Sequence, residues 1–444
     1  MSKQHFGTDG IRGRVGKDPM TVDFAIRLAS AAARVLVPEG GTVVIGKDTR
    51  LSGYMFESAL EAGFVAAGAD VLLLGPLPTP GIAHLTHAFH ADLGVVISAS
   101  HNLYDDNGIK FFDRSGSKLS DEVEHEIESQ MQGPPITRES SELGKARRID
   151  MARIRYQEFC ASTFPENLNL EGMKVVFDGA NGAGYKVGPR TLGNLGAEVI
   201  PIGCSPTGRN INKGCGSTHP ELLRLTVPAV QADVGIARDG DGDRVLMVDE
   251  GGNLVDGDQV LYILAMARQR DGELKGPVVG TVMSNLGLEH ALGEAKIDFR
   301  RAKVGDRYVL EALRESGGVI GGETSGHMLV LDRTTTGDGL VSALQVLAIM
   351  KQTGMKLSEL SADMPKYPQT MINVRTDKKL DLGGSPAIQE AVIEVEDELQ
   401  DTGRVVLRAS GTEPVIRVMV EGQNESQVNA LAQKLADVVA QAAG

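Results

Sequence analysis

Two short sequence patterns occur twice along the chain, in the same order. Residues 68–71 resemble residues 196–199, and residues 91–95 resemble residues 232–236. Either match alone could arise by chance, but two in the same order indicate a duplicated structural unit. The apolar run from Leu93 to Ile97 is continuous rather than alternating. Such runs are typical of strands in a parallel sheet that helices cover on both faces.

The pattern predicts further units beyond these two. A third copy is predicted from about residue 257 to 365, followed by a linker that Pro365 and Pro368 flank. Beyond this linker, strand patterns precede an amphipathic helix with Val428 and Leu435 on one face. We therefore expect three α/β units and a small, separate α+β domain.

The net charge and the cysteines exclude several classes of function. Lys and Arg number 45 against 59 Asp and Glu, a net charge of −14, which argues against nucleic acid or an anionic membrane as the main partner. No apolar run is long enough to cross a bilayer, and the first residues show no secretory signal. The 3 cysteines form no CxxC pair. We expect a cytoplasmic protein without disulfides or a cysteine-based zinc site.

Each predicted unit has a polar, glycine-containing loop directly after its last matched strand. These loops are residues 98–102 (Ser-Ala-Ser-His-Asn), 239–244 (Asp-Gly-Asp-Gly-Asp-Arg) and 322–327 (Gly-Glu-Thr-Ser-Gly-His). Ligands of parallel α/β sheets bind at the carboxyl ends of the strands. Three similar units can therefore bring these loops to one cleft.

The second loop has the composition of a metal site. Asp239, Asp241 and Asp243 alternate with glycines, so that all three carboxylates can face one centre. Such oxygens suit Mg²⁺ or Ca²⁺. A solvated acidic turn is the simpler alternative. An EF-hand would place Glu250 at the twelfth position, but its sixth position needs glycine and holds Arg244.

Ser100 and Lys110 are candidates for phosphoryl-transfer chemistry. There is no G-x-S-x-G motif to support acyl transfer. A serine near a metal loop indicates phosphoryl transfer, with a phosphoserine as a candidate intermediate. Lys110 could move a proton if desolvation lowers its pKa. A structural serine and a surface lysine are the alternatives.

Residues 408–417 form a candidate anion site. Ser410, Gly411 and Thr412 offer a nest of hydroxyl and backbone donors. Arg408 and Arg417 offer bidentate donors for phosphate. A hairpin with exposed charges is the alternative. In the third loop, Glu323 and His327 could serve as ligands or as a buried structural pair.

Taken together, these segments resemble the α-D-phosphohexomutase superfamily over essentially the whole chain. The resemblance implies an α/β fold of three duplicated mixed-sheet domains and a smaller C-terminal α+β domain around a central cleft. The predicted domains are residues 1–152, 153–255, 256–366 and 367–444. The segments that carry the resemblance are FGTDGIRG (6–13), SASHN (98–102), DNGIK (106–110), DGDGDR (239–244), AKVGDR (302–307), GETSGH (322–327), TTTGDG (334–339) and RASGTEPVIRVMVEG (408–422).

The resemblance also implies a role for each matched residue. Ser100 would be the phosphoserine and would hold one Mg²⁺ per chain with Asp239, Asp241 and Asp243. Proton transfer and phosphoryl contact would fall to Lys110, His101, Arg12 and Arg244. Contacts to the sugar and to the non-reacting phosphate would come from Lys303, Glu323, Ser325, His327, Arg408, Ser410, Gly411, Thr412 and Arg417.

The implied activity is the interconversion of glucosamine 6-phosphate and glucosamine 1-phosphate, for UDP-N-acetylglucosamine and cell-wall precursor synthesis. It would proceed through a phosphoserine enzyme and a sugar bisphosphate, with a sugar 1,6-bisphosphate as activator. The superfamily implies a monomer or a homodimer. Two alternatives stay open: a phosphomannomutase or phosphoglucomutase, and a sugar-phosphate-binding protein with weakened catalysis.

Two residues depart from the family pattern. Leu103 stands where proline is usual, which would loosen the Ser100 loop. Arg238 precedes the acidic loop where an apolar or small residue is usual. We expect Arg238 either to pair with an aspartate and weaken metal binding, or to point outward.

Overall fold

The computed structural model describes residues 4–7, 9–376, 382–409 and 415–443. Within these ranges the chain forms four sheets, of six, five, four and three strands. No helix among them combines the length and apolar character needed to cross a membrane.

The first unit surrounds the six-stranded sheet, whose strands and helices alternate along the chain. Helix α1 begins after Thr21, whose hydroxyl accepts from the amide of Phe24. Helix α2 begins at Ser52, directly after Leu51. In chain order the elements are β1 (Ile11–Arg14), α1 (Val22–Leu36), β2 (Gly41–Lys47), α2 (Ser52–Ala66), β3 (Ala69–Pro76), α3 (Thr79–Ala88), β4 (Leu93–Ile97), β5 (Asp106–Asp113), α4 (Asp121–Gln130) and β6 (Ala146–Arg148).

The second and third units have fewer strands. Helix α8 opens the third unit with a capping box between Asp256 and Gln259. The second unit contains α5 (Ala152–Ser162), β7 (Lys174–Asp178), a 3₁₀ turn (Ala183–Tyr185), α6 (Val187–Asn194), β8 (Glu198–Ile202), α7 (Glu221–Ala229), β9 (Val234–Arg238), β10 (Val245–Val248) and β11 (Leu254–Val255). The third contains α8 (Gly257–Arg270), β12 (Val278–Thr281), α9 (Leu286–Glu294), β13 (Phe299–Ala302), α10 (Asp306–Ser316), β14 (Ile320–Gly322), β15 (Met328–Val330), α11 (Gly339–Thr353) and α12 (Leu357–Ser361).

The strand orders confirm the duplication. The sheets run β1-β5-β4-β2-β3-β6, β11-β10-β9-β7-β8 and β13-β12-β14-β15. In each, a central strand (β2, β7 or β12) has a parallel neighbour on both sides. An antiparallel strand then follows the neighbour β4, β9 or β14. The three polar loops therefore follow equivalent strands, as the sequence predicted.

A single buried apolar cluster joins the three α/β units. It includes Phe112 from the first unit, Phe177 from the second and Leu344 from the third. Burial of apolar surface is the main favourable term in folding. The shared cluster therefore fixes the three polar loops relative to one another.

The C-terminal unit is a three-stranded antiparallel sheet packed on two helices. Its strands run in the order β16-β18-β17, and its apolar cluster is separate. Arg404 donates to the carbonyl of Val282 over 2.9 Å and pairs with Glu421, which accepts from the amide of Leu286. These contacts join the C-terminal unit to the third unit.

The exact domain boundaries stay a prediction. The elements are β16 (Gln369–Arg375), α13 (Pro386–Leu399), a 3₁₀ turn (Gln400–Thr402), β17 (Gly403–Ala409), β18 (Val415–Gly422) and α14 (Glu425–Ala443).

Candidate active site

Ser100 lies at the carboxyl end of β4, buried among polar groups. Its side chain is 1% exposed, and its Oγ donates to Asp239 Oδ2 over 2.6 Å. His101 Nδ1 lies 3.4 Å from the same Oγ. The backbone of Ser100 has φ 51°, a left-handed conformation that is uncommon for a residue with a side chain. The strand end and this turn place the hydroxyl against the acidic loop of the second unit.

Two residues that the sequence analysis missed hold the Ser100 loop. The buried guanidinium of Arg50 donates to the carbonyls of Ser100 and Asn102, over 3.2 and 2.6 Å. The amide of Asn212 donates to the same two carbonyls over 2.8 Å each. Leu103 is half exposed, and its carbonyl accepts from the amide of Asp106. The loop is therefore clamped from two sides although it lacks the proline.

The acidic loop has the geometry of a divalent-cation site. Asp239, Asp241 and Asp243 are buried, and each offers an oxygen within 4.8 Å of the other two. Oδ1 of Asp241 and Oδ1 of Asp243 have no hydrogen-bond partner among the described residues. Burial and the other two carboxylates hold the pKa of Asp239 well above its usual range. The two unpartnered oxygens and the raised pKa of Asp239 leave a place for a cation, and carboxylate oxygens fit Mg²⁺.

Lys110 lies among three carboxylates, and the condition on which proton transfer was predicted, a pKa lowered by desolvation, is not met. Its Nζ is 2.9 Å from both Asp241 Oδ2 and Asp9 Oδ2, and 3.7 Å from Asp243 Oδ2. Burial lowers the pKa of Lys110, but the carboxylates, led by that of Asp241, raise it above its ordinary value. In this arrangement the side chain is a cation.

Lys110 is part of a closed ring of alternating charges. Lys118, which the sequence analysis did not single out, bridges Asp9 Oδ1 at 2.6 Å and Asp306 Oδ2 at 2.5 Å. His327 lies 3.4 Å from Asp306 and 3.7 Å from Asp243, which completes the ring. Although burial lowers the pKa of His327, the carboxylates of Asp243 and Asp306 raise it to about 9. The ring links the first three units around the cleft.

Beside this ring is a cavity of about 590 Å³. Burial and the guanidinium groups of Arg244 and Arg12 lower the pKa of His101, near this cavity, to about 4. His101 is therefore neutral at neutral pH. The residues that line the cavity are His5, Gly7, Asp9, Gly10, Arg12, Asp243, Arg244, Val304, Gly305, Asp306, Glu323 and His327.

The predicted sugar residues occupy different positions around this cavity. Glu323 is partly buried and lines the cavity, where its carboxylate accepts from the amide of Gly305 over 2.9 Å, and its own amide donates to the carbonyl of His327 over 3.0 Å. Lys303 and Ser325 are exposed next to lining residues, and the Lys303 ammonium lies 5.6 Å from the ring centre of Tyr308.

The predicted phosphate clamp is described in part. Arg408 on β17 and Arg417 on β18 are directly opposite each other. Burial and the neighbouring Arg417 lower the pKa of Arg408. Like charges directly opposite each other on paired strands are unfavourable, so an anion fits between them. Ser410, Gly411 and Thr412 lie outside the described residues.

Arg238 pairs with an aspartate that lies outside the acidic loop. Its side chain is fully buried. It donates to the carbonyl of Gly242 and lies 3.8 Å from Asp338 Oδ1 in the third unit. It therefore neither points outward nor forms an ion pair with an aspartate of the acidic loop.

Asp258 supports the sugar loop and should make stability depend on pH. Its Oδ2 accepts from Thr324 Oγ1 over 2.8 Å and from the amide of Asn285 over 2.9 Å. Burial, and then the charge of Asp256, raise the pKa of Asp258 to about 6. The unfolded chain binds this proton with a pKa of about 3.9. Because the pKa of Asp258 is higher in the folded state, its protonated carboxyl group stabilises the folded chain. This stabilisation is full below about pH 4 and is lost as the pH rises through 6.

The variant Asp258→Asn should remove that dependence. Relative to the variant, the parent should lose about 2–3 kcal/mol of unfolding free energy between about pH 4 and pH 7. Urea unfolding of both proteins at several pH values measures this difference. If the unfolding free energies of the parent and the variant changed in parallel with pH over that range, the prediction would be contradicted.

The fold and the cleft together are those of a phosphohexomutase. Four domain families of phosphoglucomutase/phosphomannomutase match the chain: α/β/α domain I over residues 3–135, domain II over 155–252, domain III over 256–367 and the C-terminal domain over 371–438. The chain belongs to the phosphoglucomutase/phosphomannomutase family.

Full-length relatives are more specific in their names. A phosphoglucosamine mutase of Nitrosococcus oceani is 57% identical over 441 residues, which is 99% of this chain and 98% of that protein. A phosphoglucosamine mutase of Aeromonas hydrophila is 56% identical over 440 residues, 99% of each chain. A solved phosphoglucomutase/phosphomannomutase family protein from Burkholderia thailandensis has a TM-score of 0.79 at 22% identity, over 98% of this chain and 97% of that one. It has the same fold.

Proposed function

We propose that this chain is a phosphoglucosamine mutase, which interconverts glucosamine 6-phosphate and glucosamine 1-phosphate and so supplies UDP-N-acetylglucosamine synthesis. The names of relatives that are 56–57% identical over nearly the whole chain support this substrate. The observation that carries the chemistry is the Ser100 hydroxyl, 2.6 Å from Asp239 within a buried acidic loop. The expected cytoplasmic location and the choice between monomer and homodimer stay predictions.

The residues of the cleft have separate roles in phosphoryl transfer. Ser100 passes its phosphoryl group to the sugar phosphate, and the resulting bisphosphate turns over and returns its other phosphate to Ser100. Arg12 and Arg244 line the cavity beside the acidic loop and offer positive charge to the transferring group. Positioning and electrostatics dominate such transfers. A sugar 1,6-bisphosphate would prime an unphosphorylated Ser100.

Proton transfer in the cleft has two candidate groups. Lys110 is a cation among carboxylates that raise its pKa, so in this arrangement it offers positive charge to a departing oxygen, and it can give up its proton only when those carboxylates are drawn away from it. His101 is the neutral base nearest to Ser100 Oγ, at 3.4 Å.

The acidic loop would hold the metal. Ser100, Asp239, Asp241 and Asp243 would coordinate one Mg²⁺ per chain. When bound, the ion supplies positive charge for the phosphoryl transition state.

Glu323 is a candidate contact for the amino group of the substrate. Glu323 lines the cavity, and its carboxylate accepts from the backbone amide of Gly305 over 2.9 Å. A carboxylate near the second carbon of the sugar would stabilise an ammonium group there. A phosphomannomutase or phosphoglucomutase is the second candidate.

Phosphorus NMR tests the proposal. The Mg²⁺-loaded protein is incubated with glucosamine 6-phosphate and a trace of sugar bisphosphate, and with glucose and mannose 6-phosphates in parallel. We expect a 1-phosphate signal that grows fastest from the amino sugar. Faster conversion of glucose 6-phosphate or mannose 6-phosphate would favour the second candidate, a phosphomannomutase or phosphoglucomutase. No conversion of any sugar, with Ser100 unphosphorylated by intact mass, would favour a binding protein instead.

A further inference from the structure

A fully buried arginine stands directly before the acidic loop. The Arg238 side chain ends β9 and is 0% exposed. Its Nη2 donates to the carbonyl of Gly242, which lies between Asp241 and Asp243. A β-carbon on Gly242 would overlap the guanidinium, so the loop backbone lies directly on it. The contact is with the loop's backbone rather than with its carboxylates.

The positive charge of Arg238 is balanced from the third unit. Asp338 Oδ1 is 3.8 Å from Arg238 Nη2. The same carboxylate caps helix α11 by accepting from the amides of Leu340 and Val341, over 2.9 and 3.2 Å. Tyr156 donates to Asp338 Oδ2 over 2.7 Å. The carboxylate of Asp338 is therefore held in place by the first backbone amides of α11 and by the buried hydroxyl of Tyr156.

The Gly242 carbonyl receives a second donor from the same helix start. The amide of Gly339 donates to it over 3.3 Å. The peptide between Asp241 and Asp243 is thus held by a side chain of the second unit and by the backbone of the third. Groups that hold metal ligands in place from outside tune the affinity of a site strongly.

We propose that Arg238 is a positioning residue for the metal loop: it fixes the Gly242 peptide, and so the direction of the Asp241 and Asp243 carboxylates, while Asp338 balances its charge. This inference rests on the metal site of the proposed function. It reverses the expectation that a cation here weakens metal binding, because Asp338 supplies the pairing carboxylate. A phenylalanine at this position would remove the donor and leave Asp338 without its partner.

The test measures Mg²⁺ binding alone, without sugar, so that a lack of mutase activity does not affect it. Isothermal titration compares the parent with Arg238→Met, Arg238→Lys, Asp338→Asn and the double variant Arg238→Met/Asp338→Asn. Thermal midpoints are taken with and without Mg²⁺. Asn at position 338 keeps a helix-capping oxygen, removes the charge and replaces the oxygen that accepts from Tyr156 by an amino group.

We expect the Mg²⁺ Kd of Arg238→Met to rise about tenfold or more, with a smaller rise for Arg238→Lys, which keeps a cationic donor. Asp338→Asn should lower the thermal midpoint most, because it leaves a buried charge unpaired, and should change the Kd by less than about threefold. The double variant should regain stability over Asp338→Asn and keep the weak Mg²⁺ binding.

A purely structural arginine would give a different result. Arg238→Met would then lower the thermal midpoint and leave the Mg²⁺ Kd equal to that of the parent, which would overturn the inference. If Arg238→Met does not fold, the Mg²⁺ Kd values of Arg238→Lys and of the double variant are compared with that of the parent instead. Kd values equal to that of the parent would overturn the inference.

Discussion

A Ser100→Gly variant is expected to lose conversion between sugar 6- and 1-phosphates by at least about 10³-fold and still to fold normally. The lost group is the nucleophile of the proposed reaction. The backbone at this position has φ 51°, which glycine adopts without strain. The variant should therefore be at least as stable as Ser100→Ala, which loses the same hydroxyl but keeps a β-carbon in a left-handed conformation.

Three measurements together test this prediction. Phosphorus NMR gives turnover, thermal unfolding gives the two midpoints, and intact mass after incubation with a sugar bisphosphate shows whether a phosphoryl group is attached. The parent should gain one phosphoryl group and both variants none. Turnover within about tenfold of the parent would mean that Ser100 is not the nucleophile.

A buried serine outside the cleft provides the control. Ser30 lies on α1, and its hydroxyl accepts from the amide of Ile136 over 2.9 Å. Ser30→Ala should cost about 1 kcal/mol of stability and leave turnover and phosphorylation as in the parent. A loss of activity in this control would show that small changes in stability alone reduce turnover.

Sequence periodicity predicted the three α/β units because their central strands are buried on both faces. The rule that ligands bind at the carboxyl ends of such strands then located Ser100, the acidic loop and Glu323. The same rule extended to β2 would have indicated Arg50, which lies just beyond its end at Lys47.

The sequence could not show contacts between residues that are distant in it. It left open whether desolvation lowers the pKa of Lys110, and carboxylates from two other segments outweigh that effect. Arg238 was judged by its neighbours in sequence, whereas its counter-charge, Asp338, comes from the third unit. Composition cannot show which distant acid meets a buried base, since that depends on how the units pack.

Asp239→Asn should separate metal binding from folding. The amide keeps an oxygen that can accept from the backbone of Gly242 and Arg244, as Asp239 Oδ1 does over 3.0 and 3.2 Å. It also removes one of three mutually repelling carboxylates. In Mg²⁺-free buffer the variant should therefore unfold at a temperature no lower than the parent.

With Mg²⁺ the parent should have the higher unfolding temperature. The parent should be stabilised by the ion, because ligand binding to the folded state alone raises its stability. The variant should show little of that rise, and its turnover should fall by about 10²–10³-fold or more, as for loss of one preorganised electrostatic group. Thermal unfolding over a series of Mg²⁺ concentrations, with turnover by phosphorus NMR, gives both quantities.

Asp249 is the matched control, since it is a buried aspartate at the end of β10 that likewise accepts from a turn. Its Oδ1 accepts from the amides of Gly251 and Asn253 over 2.9 and 2.8 Å. Asp249→Asn should shift the thermal midpoint by the same amount with and without Mg²⁺, because this carboxylate lies outside the acidic loop. If Asp239→Asn behaved like this control, with its Mg²⁺ response intact, Asp239 would not be a metal ligand and the acidic loop would serve another purpose.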